Sequence, residues 1–168
     1  GEPAFSPDGR YVYFSFDSTP GSTFIYAQDS NGQIFEIHRH DLETGDTVSF
    51  VTGAGGAVRP TPSPDGRYLA FVRRIRGVSA LFLKDLESGA EFPIYEGLEE
   101  DLQEVWGVHG LYPNMDWTPD SASIVFWDDG IFKRVNVATG DVTDIRFEID
   151  DTRTIYTPPF PTIEVAPG

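Results

Sequence analysis

Ser6-Pro7-Asp8-Gly9-Arg10-Tyr11 runs into the β-rich segment Val12-Tyr13-Phe14-Ser15-Phe16, and the chain repeats this pairing. The hexapeptide returns as Ser63-Pro64-Asp65-Gly66-Arg67-Tyr68 ahead of Leu69-Ala70-Phe71-Val72. A degraded copy, Thr118-Pro119-Asp120-Ser121-Ala122-Ser123, precedes Ile124-Val125-Phe126-Trp127. The copies lie 57 and 55 residues apart. A period of this size marks an array of supersecondary units. A serine, a carboxylate and a glycine in one loop are also the ingredients of an active site. Recurrence in register, each time between two strand-like runs, identifies the motif instead as a chain reversal. The serine is therefore not a nucleophile candidate.

A second repeated mark follows each first one. Asp41-Leu42-Glu43-Thr44-Gly45 matches Asp85-Leu86-Glu87-Ser88-Gly89, and Asn136-Val137-Ala138-Thr139-Gly140 matches both. Asp and Asn bond their own backbone and Gly takes positive φ cheaply, so each pentapeptide predicts a hairpin. Strand-like runs flank it: 34–39 with 47–51, 80–84 with 91–95, and 131–135 with 142–147. Each unit thus reads as four antiparallel strands joined by hairpins, which is one propeller blade. The expected fold is all-β: three four-stranded antiparallel blades of a larger β-propeller of about six to eight blades. The expected limits are 1–55, 56–108 and 109–149, with 150–168 a linker or passage to the next element.

Between the two marks the first unit is 17 residues longer than the third, and the second is 4 longer. The extra length is expected between the second and third strands. In the first unit it is Asp17 to Gln33, rich in Ser, Thr, Gly, Asn and Asp, a loop on one rim. In the third, Asp128-Asp129-Gly130 predicts a tight hairpin. Glu96 to Glu104 is an acidic connector with room for one helical turn.

Composition narrows the function classes. The formal charge is −15, from 27 acidic and 12 basic residues, which opposes binding to nucleic acid or to anionic membranes. The absence of cysteine excludes disulfides, thiolate chemistry and metal–sulfur sites. No run approaches the roughly 18–20 apolar residues of a membrane-spanning helix. Gly1-Glu2-Pro3 opens mid-pattern without an export signal, as a mature or excerpted chain would. Three blades do not close a ring, and an open array exposes sheet edges and apolar faces. Either the rest of the propeller lies in the same chain, or the chain expressed alone self-associates into a ring of two copies.

Pro-Asp-Gly-Arg before an aliphatic–aromatic strand, with Asp-Leu-x-Ser/Thr-Gly behind it, resembles the TolB-type β-propeller repeat over roughly residues 1–149. Such propellers serve periplasmic binding proteins, tricorn-like proteases, prolyl-oligopeptidase-type peptidases and amidohydrolases. The stretch from Gly110 through Tyr112-Pro113-Asn114-Met115-Asp116-Trp117 to Asp151-Thr152-Arg153 is similar to large bacterial amidohydrolases that carry a TolB-like propeller ahead of a metal-dependent barrel. The resemblance implies a periplasmic or secreted parent that cleaves C–N bonds. A divalent metal, zinc by expectation, would sit in its catalytic domain. This chain would be the non-catalytic part, for binding, substrate gating or interdomain contact, with no cofactor of its own. The alternatives are a TolB-like interaction module without an enzyme, or the gating propeller of a prolyl-oligopeptidase or tricorn-like peptidase.

Few residues qualify as a site. His38 and His40 share a face of a predicted strand beside Asp41, but precede a hairpin where a metal-binding barrel strand would end. They read as polar residues on a strand face, and His109 as a loop residue. Asp29-Ser30-Asn31-Gly32-Gln33 begins like a calcium loop and lacks its later acidic ligands. Trp117, Phe126, Trp127, Phe14, Phe16 and Phe71 read as packing between blades. Trp106 and Tyr112 are surface-contact candidates. The strongest set comes from superposing the repeats. Four residues before each first motif stand Glu2, Arg59 and Asn114, on strands that line a propeller's channel. They are the expected channel-facing binding residues.

Overall fold

The computed structural model describes residues 1–19, 21, 32–99 and 113–156. Among the described residues, twelve strands form three four-stranded antiparallel sheets, each in simple sequential order. The first sheet holds β1 (Ala4–Phe5), β2 (Tyr11–Asp17), β3 (Phe35–Asp41) and β4 (Thr47–Val51). The second holds β5 (Val58–Pro62), β6 (Tyr68–Ile75), β7 (Val78–Asp85) and β8 (Glu91–Glu96). The third holds β9 (Met115–Trp117), β10 (Ser123–Asp128), β11 (Ile131–Asn136) and β12 (Val142–Ile145). The first strands of neighbouring sheets lie side by side, β5 between β1 and β9.

The repeated turns explain why the strands reverse where they do. In each, the hydroxyl of Ser6, Ser63 or Thr118 donates to the aspartate two residues on, and accepts the N–H of Tyr11, Tyr68 or Ser123. Gly9 and Gly66 lie at φ 72° and 74°, and Ser121 holds the same left-handed conformation at 58°. The second mark works equally with Asp or Asn. Oδ1 of Asp85 accepts the N–H groups of Glu87 and Ser88 at 2.9 and 3.0 Å, and Oδ1 of Asn136 those of Ala138 and Thr139 at 2.9 and 3.0 Å.

The core lies between sheets. Alternation along β6 sends Leu69 and Phe71 toward the first sheet and Ala70 and Val72 toward the third. The middle sheet is covered on both sides, which is why Leu69-Ala70-Phe71-Val72 and Ala80-Leu81-Phe82-Leu83 are continuous apolar runs. At the first junction they meet Tyr13, Ile37, Val51 and Ala57, and at the second Trp117, Ile124, Phe126 and Val135. Each such fully buried side chain contributes roughly 1.5–3 kcal/mol. Phe71, Trp117 and Phe126 thus pack between sheets as the sequence suggests, whereas Phe16, at 45% exposure, lies on the first sheet's other face. Tyr95 and Lys133 close the second junction around the buried Asp128, the tyrosine hydroxyl donating at 2.7 Å and Nζ lying 3.0 Å away.

Connection lengths differ from the sequence expectation in one place. The four extra residues of the second unit do not enlarge a loop. Arg76-Gly77 is a two-residue turn at φ 49° and 87°, matching Asp129-Gly130 at 52° and 70°. The added length instead extends β6 and β7 to eight residues each, against six in β10 and β11. In the first unit, the Ser18 N–H donates to the Ile34 carbonyl at 2.8 Å and brings the ends of the long connection together. Most of that connection, the calcium-like segment's start and most of the acidic connector fall outside the described residues.

Candidate functional site: the Glu2, Arg59 and Asn114 cluster

The three positions matched by repeat register meet in space. β5 carries a bulge between Val58 and Thr61, and Arg59 within it takes φ 63°. Glu2, its counterpart, takes φ 57°. Left-handed backbone costs a non-glycine residue roughly 1–2 kcal/mol, so two adjacent instances need compensation. A bulge re-aims its side chain, and here it carries the Arg59 guanidinium across to both neighbouring sheets.

Arg59 donates through Nη1 to Glu2 Oε1 at 3.1 Å, through Nη2 to Asn114 Oδ1 at 2.8 Å, and through Nε to the Pro113 carbonyl. Its backbone N–H is shared between Glu2 Oε2 at 2.9 Å and Ser15 Oγ at 3.1 Å. The Ser15 hydroxyl donates to the same Glu2 oxygen at 2.6 Å. The Arg59 and Glu2 side chains are 14% and 11% exposed, so their attraction is little screened by water. One planar fork thus ties three successive repeats together, a task that suits arginine and not lysine. Among the described residues the amide nitrogen of the exposed Asn114 makes no hydrogen bond.

The superposed repeats point to Glu2, Arg59 and Asn114; Ser15 and the Pro113 carbonyl are additional. Ser15 had a signal, because the second and third repeats place Val72 and Trp127 there. A small hydroxyl in an apolar run marks a polar neighbour. Trp106 and Tyr112, and with them His109, lie outside the described residues.

His38 and His40 take separate partners. His38 Nε2 lies 2.6 Å from Glu36 Oε1 and its ring stacks on Phe16 at 4.4 Å, while His40 Nδ1 meets Thr47 Oγ1 at 2.8 Å. Ser49 Oγ also approaches His38, at 3.4 Å, but on the nitrogen that faces Glu36. A nucleophile relay needs serine and carboxylate on opposite ring nitrogens, so this trio is not one. Among the described residues no three His, Cys, Asp or Glu side chains are arranged to hold a metal ion, and no helix is long and apolar enough to cross a membrane.

Stacked four-stranded antiparallel sheets with adjacent first strands are blades of a β-propeller. The fold is of the TolB type. The chain is similar to TolB from Acinetobacter baumannii (TM-score 0.65, 19% identity, 88% of this chain and 32% of that one). It is also similar to the β-propeller domain of the trilobed protease from Pyrococcus furiosus (TM-score 0.55, 16% identity, 86% and 42%) and to the tricorn protease (TM-score 0.59, 15% identity, 90% and 13%). The chain therefore spans about a third of TolB's length and less than half of the other two. No family model and no curated protein sequence matches it.

Proposed function

We propose that this chain is a non-catalytic propeller module of a longer protein, whose polar cluster of Glu2, Arg59 and Asn114 faces the propeller's channel and binds or filters a ligand there. The observation that carries the reading is the cluster itself. Equivalent positions of three repeats are joined by one arginine, and the exposed Asn114 side chain stands at its end. The units run 1–55, 56–108 and 109–149, with 150–168 leading onward. The parent is a periplasmic or secreted amidohydrolase, and the support is the likeness of the stretch from Gly110 to Arg153 to such enzymes.

A second reading, the gate of a peptidase, is favoured by the structural likeness to tricorn and to the trilobed protease. Amide hydrolysis and metal content, measured on the full-length protein and on the 168-residue chain, test the choice. The expected result is metal-dependent hydrolysis by the full-length protein and none by the chain alone. Activity in the isolated chain overturns the module reading. Metal-independent hydrolysis by the full-length protein, blocked by a serine-directed inhibitor, replaces the amidohydrolase by the peptidase.

A further inference from the structure

The two junctions between sheets are built differently, and repeat register shows how. Trp117, directly before Thr118, is buried at the second junction. Its ring lies 6.4 Å from that of Tyr68 at an interplanar angle of 11°, and its Nε1 donates to the Thr61 carbonyl at 2.9 Å. The residue in the same place of the second repeat, directly before Ser63, is Pro62. Proline offers neither a ring to stack on Tyr11 nor an indole donor. Around Pro62 the first junction opens into a cleft of about 680 Å³ walled by Tyr11, Tyr13, Arg39, Phe50 and Lys84.

Those walls also differ from their counterparts. At the second junction Ala70 stands for Tyr13, Leu83 for Arg39 and Ile94 for Phe50, and Ala70 and Leu83 belong to a continuous buried core. At the first, the Arg39 guanidinium lies 4.4 Å from the Tyr11 ring centre and 4.6 Å from that of Phe50. Lys84 Nζ lies 5.2 Å from Phe50 and is paired with Glu91. Arg39 forms no ion pair among the described residues, in a chain of net charge −15. The carboxylates lining the cleft do not supply one: Asp8 and Asp65 are engaged by their own turns, and Glu87 makes no ion pair with Arg39. A cation held on ring faces, in a cleft from which an indole is missing, is suited to an electron-rich aromatic guest.

We infer that the cleft between the first two blades is a docking site for one tryptophan side chain of a peptide partner, packed against the Arg39 guanidinium and the Phe50 and Tyr13 rings. Its volume lies within the range of about 300–1,000 Å³ usual for ligand sites, and accepts an indole with its adjoining peptide groups. The cleft lies away from the polar cluster, so the inference is independent of what the channel binds.

N-acetyltryptophanamide is the probe, observed by saturation-transfer NMR with the full-length protein. The expected result is saturable transfer to the indole protons and none to N-acetylalaninamide. Pro62→Trp places an indole of the chain's own in the cleft and weakens the probe by at least about tenfold. Arg39→Leu, the second junction's residue, weakens it about fivefold, the scale of one cation–π contact. Absence of saturable transfer overturns the inference. So does unchanged affinity in Pro62→Trp, or in Arg39→Leu should the former fail to fold.

Discussion

The Glu2 carboxylate holds Arg59 twice, accepting Nη1 on Oε1 at 3.1 Å and the backbone N–H on Oε2 at 2.9 Å. One acid thus pins both the side chain and the left-handed backbone of the residue that crosses between sheets. Arg59→Ala is expected to destabilise the protein by about 2–4 kcal/mol, because it leaves a mostly buried carboxylate without its cation. Arg59→Lys is expected to recover less than half of this, since one ammonium does not reach Glu2, Asn114 and the Pro113 carbonyl together. Urea unfolding of the three proteins checks both.

The two repeated marks are coupled, and the coupling is lost as a unit. Arg10 reaches Asp41 at 2.8 Å and Arg67 reaches Asp85 at 3.4 Å, while the third repeat replaces the pair by Ala122 and Asn136. Asp41→Asn keeps the Oδ1 that organises the turn and loses an ion pair whose arginine is 40% exposed, so about 0.5 kcal/mol is expected. Asp41→Ala removes the turn's acceptor as well, and about 1–2 kcal/mol is expected. Thermal unfolding of the two variants separates the turn from the charge.

Acid is expected to weaken the fold through the same turns. The hydroxyls of Ser6, Ser63 and Thr118 and the backbone N–H groups of the turns hold the Asp8, Asp65 and Asp120 carboxyls below their usual 3.8. A depressed folded-state pKa contributes stability that is fully present above the unfolded value and is lost as the pH falls through the folded one. Melting temperature is therefore expected to hold near pH 6 and to drop as the pH passes below about 4. The combined Asp8→Asn, Asp65→Asn and Asp120→Asn variant is expected to show a shallower acid slope.

The link from the first sheet to the second runs through Gly53-Ala54-Gly55-Gly56. A Cβ on Gly55, at φ 80°, would stand 1.8 Å from the Arg74 carbonyl oxygen, a backbone atom that cannot swing aside. On Gly45, also at φ 80°, it would meet nothing within 4 Å. Gly45→Ala is expected to cost about 1–2 kcal/mol for its backbone alone. Gly55→Ala is expected to cost at least about 3 kcal/mol, the range of forced backbone displacement. Denaturant midpoints of the two variants report the difference.

Repeat register makes the polar cluster legible in the chain: three positions four residues ahead of a turn motif are equivalent, each within or just ahead of the first strand of its unit. The network that joins them is less so. The Ser15 hydroxyl and the Pro113 carbonyl come from residues 44 and 54 positions distant from Arg59, and the bulge at Arg59 arises in the pairing of β5 with β6. The contrast between Trp117 and Pro62 is likewise visible only as two residues in one register, with no hint that one fills a junction and the other leaves it open.

By itself the sequence determined where the chain turns and which runs become strands. Those choices rest on local chemistry: an aspartate binding its own backbone, a glycine at positive φ, apolar residues in alternation. Tertiary structure alone decided where the extra length of the second unit goes, with Arg76-Gly77 closing two lengthened strands in place of a loop. It also decided what the first motif is joined to. Ser6-Pro7-Asp8-Gly9-Arg10-Tyr11 makes its turn from within, but its arginine reaches a hairpin 31 residues away and its tyrosine walls a cleft shared with the next sheet. The first contact forms when β2 pairs with β3, and the second only once the sheets stack, because pairing and burial, and not local preference, bring the groups together.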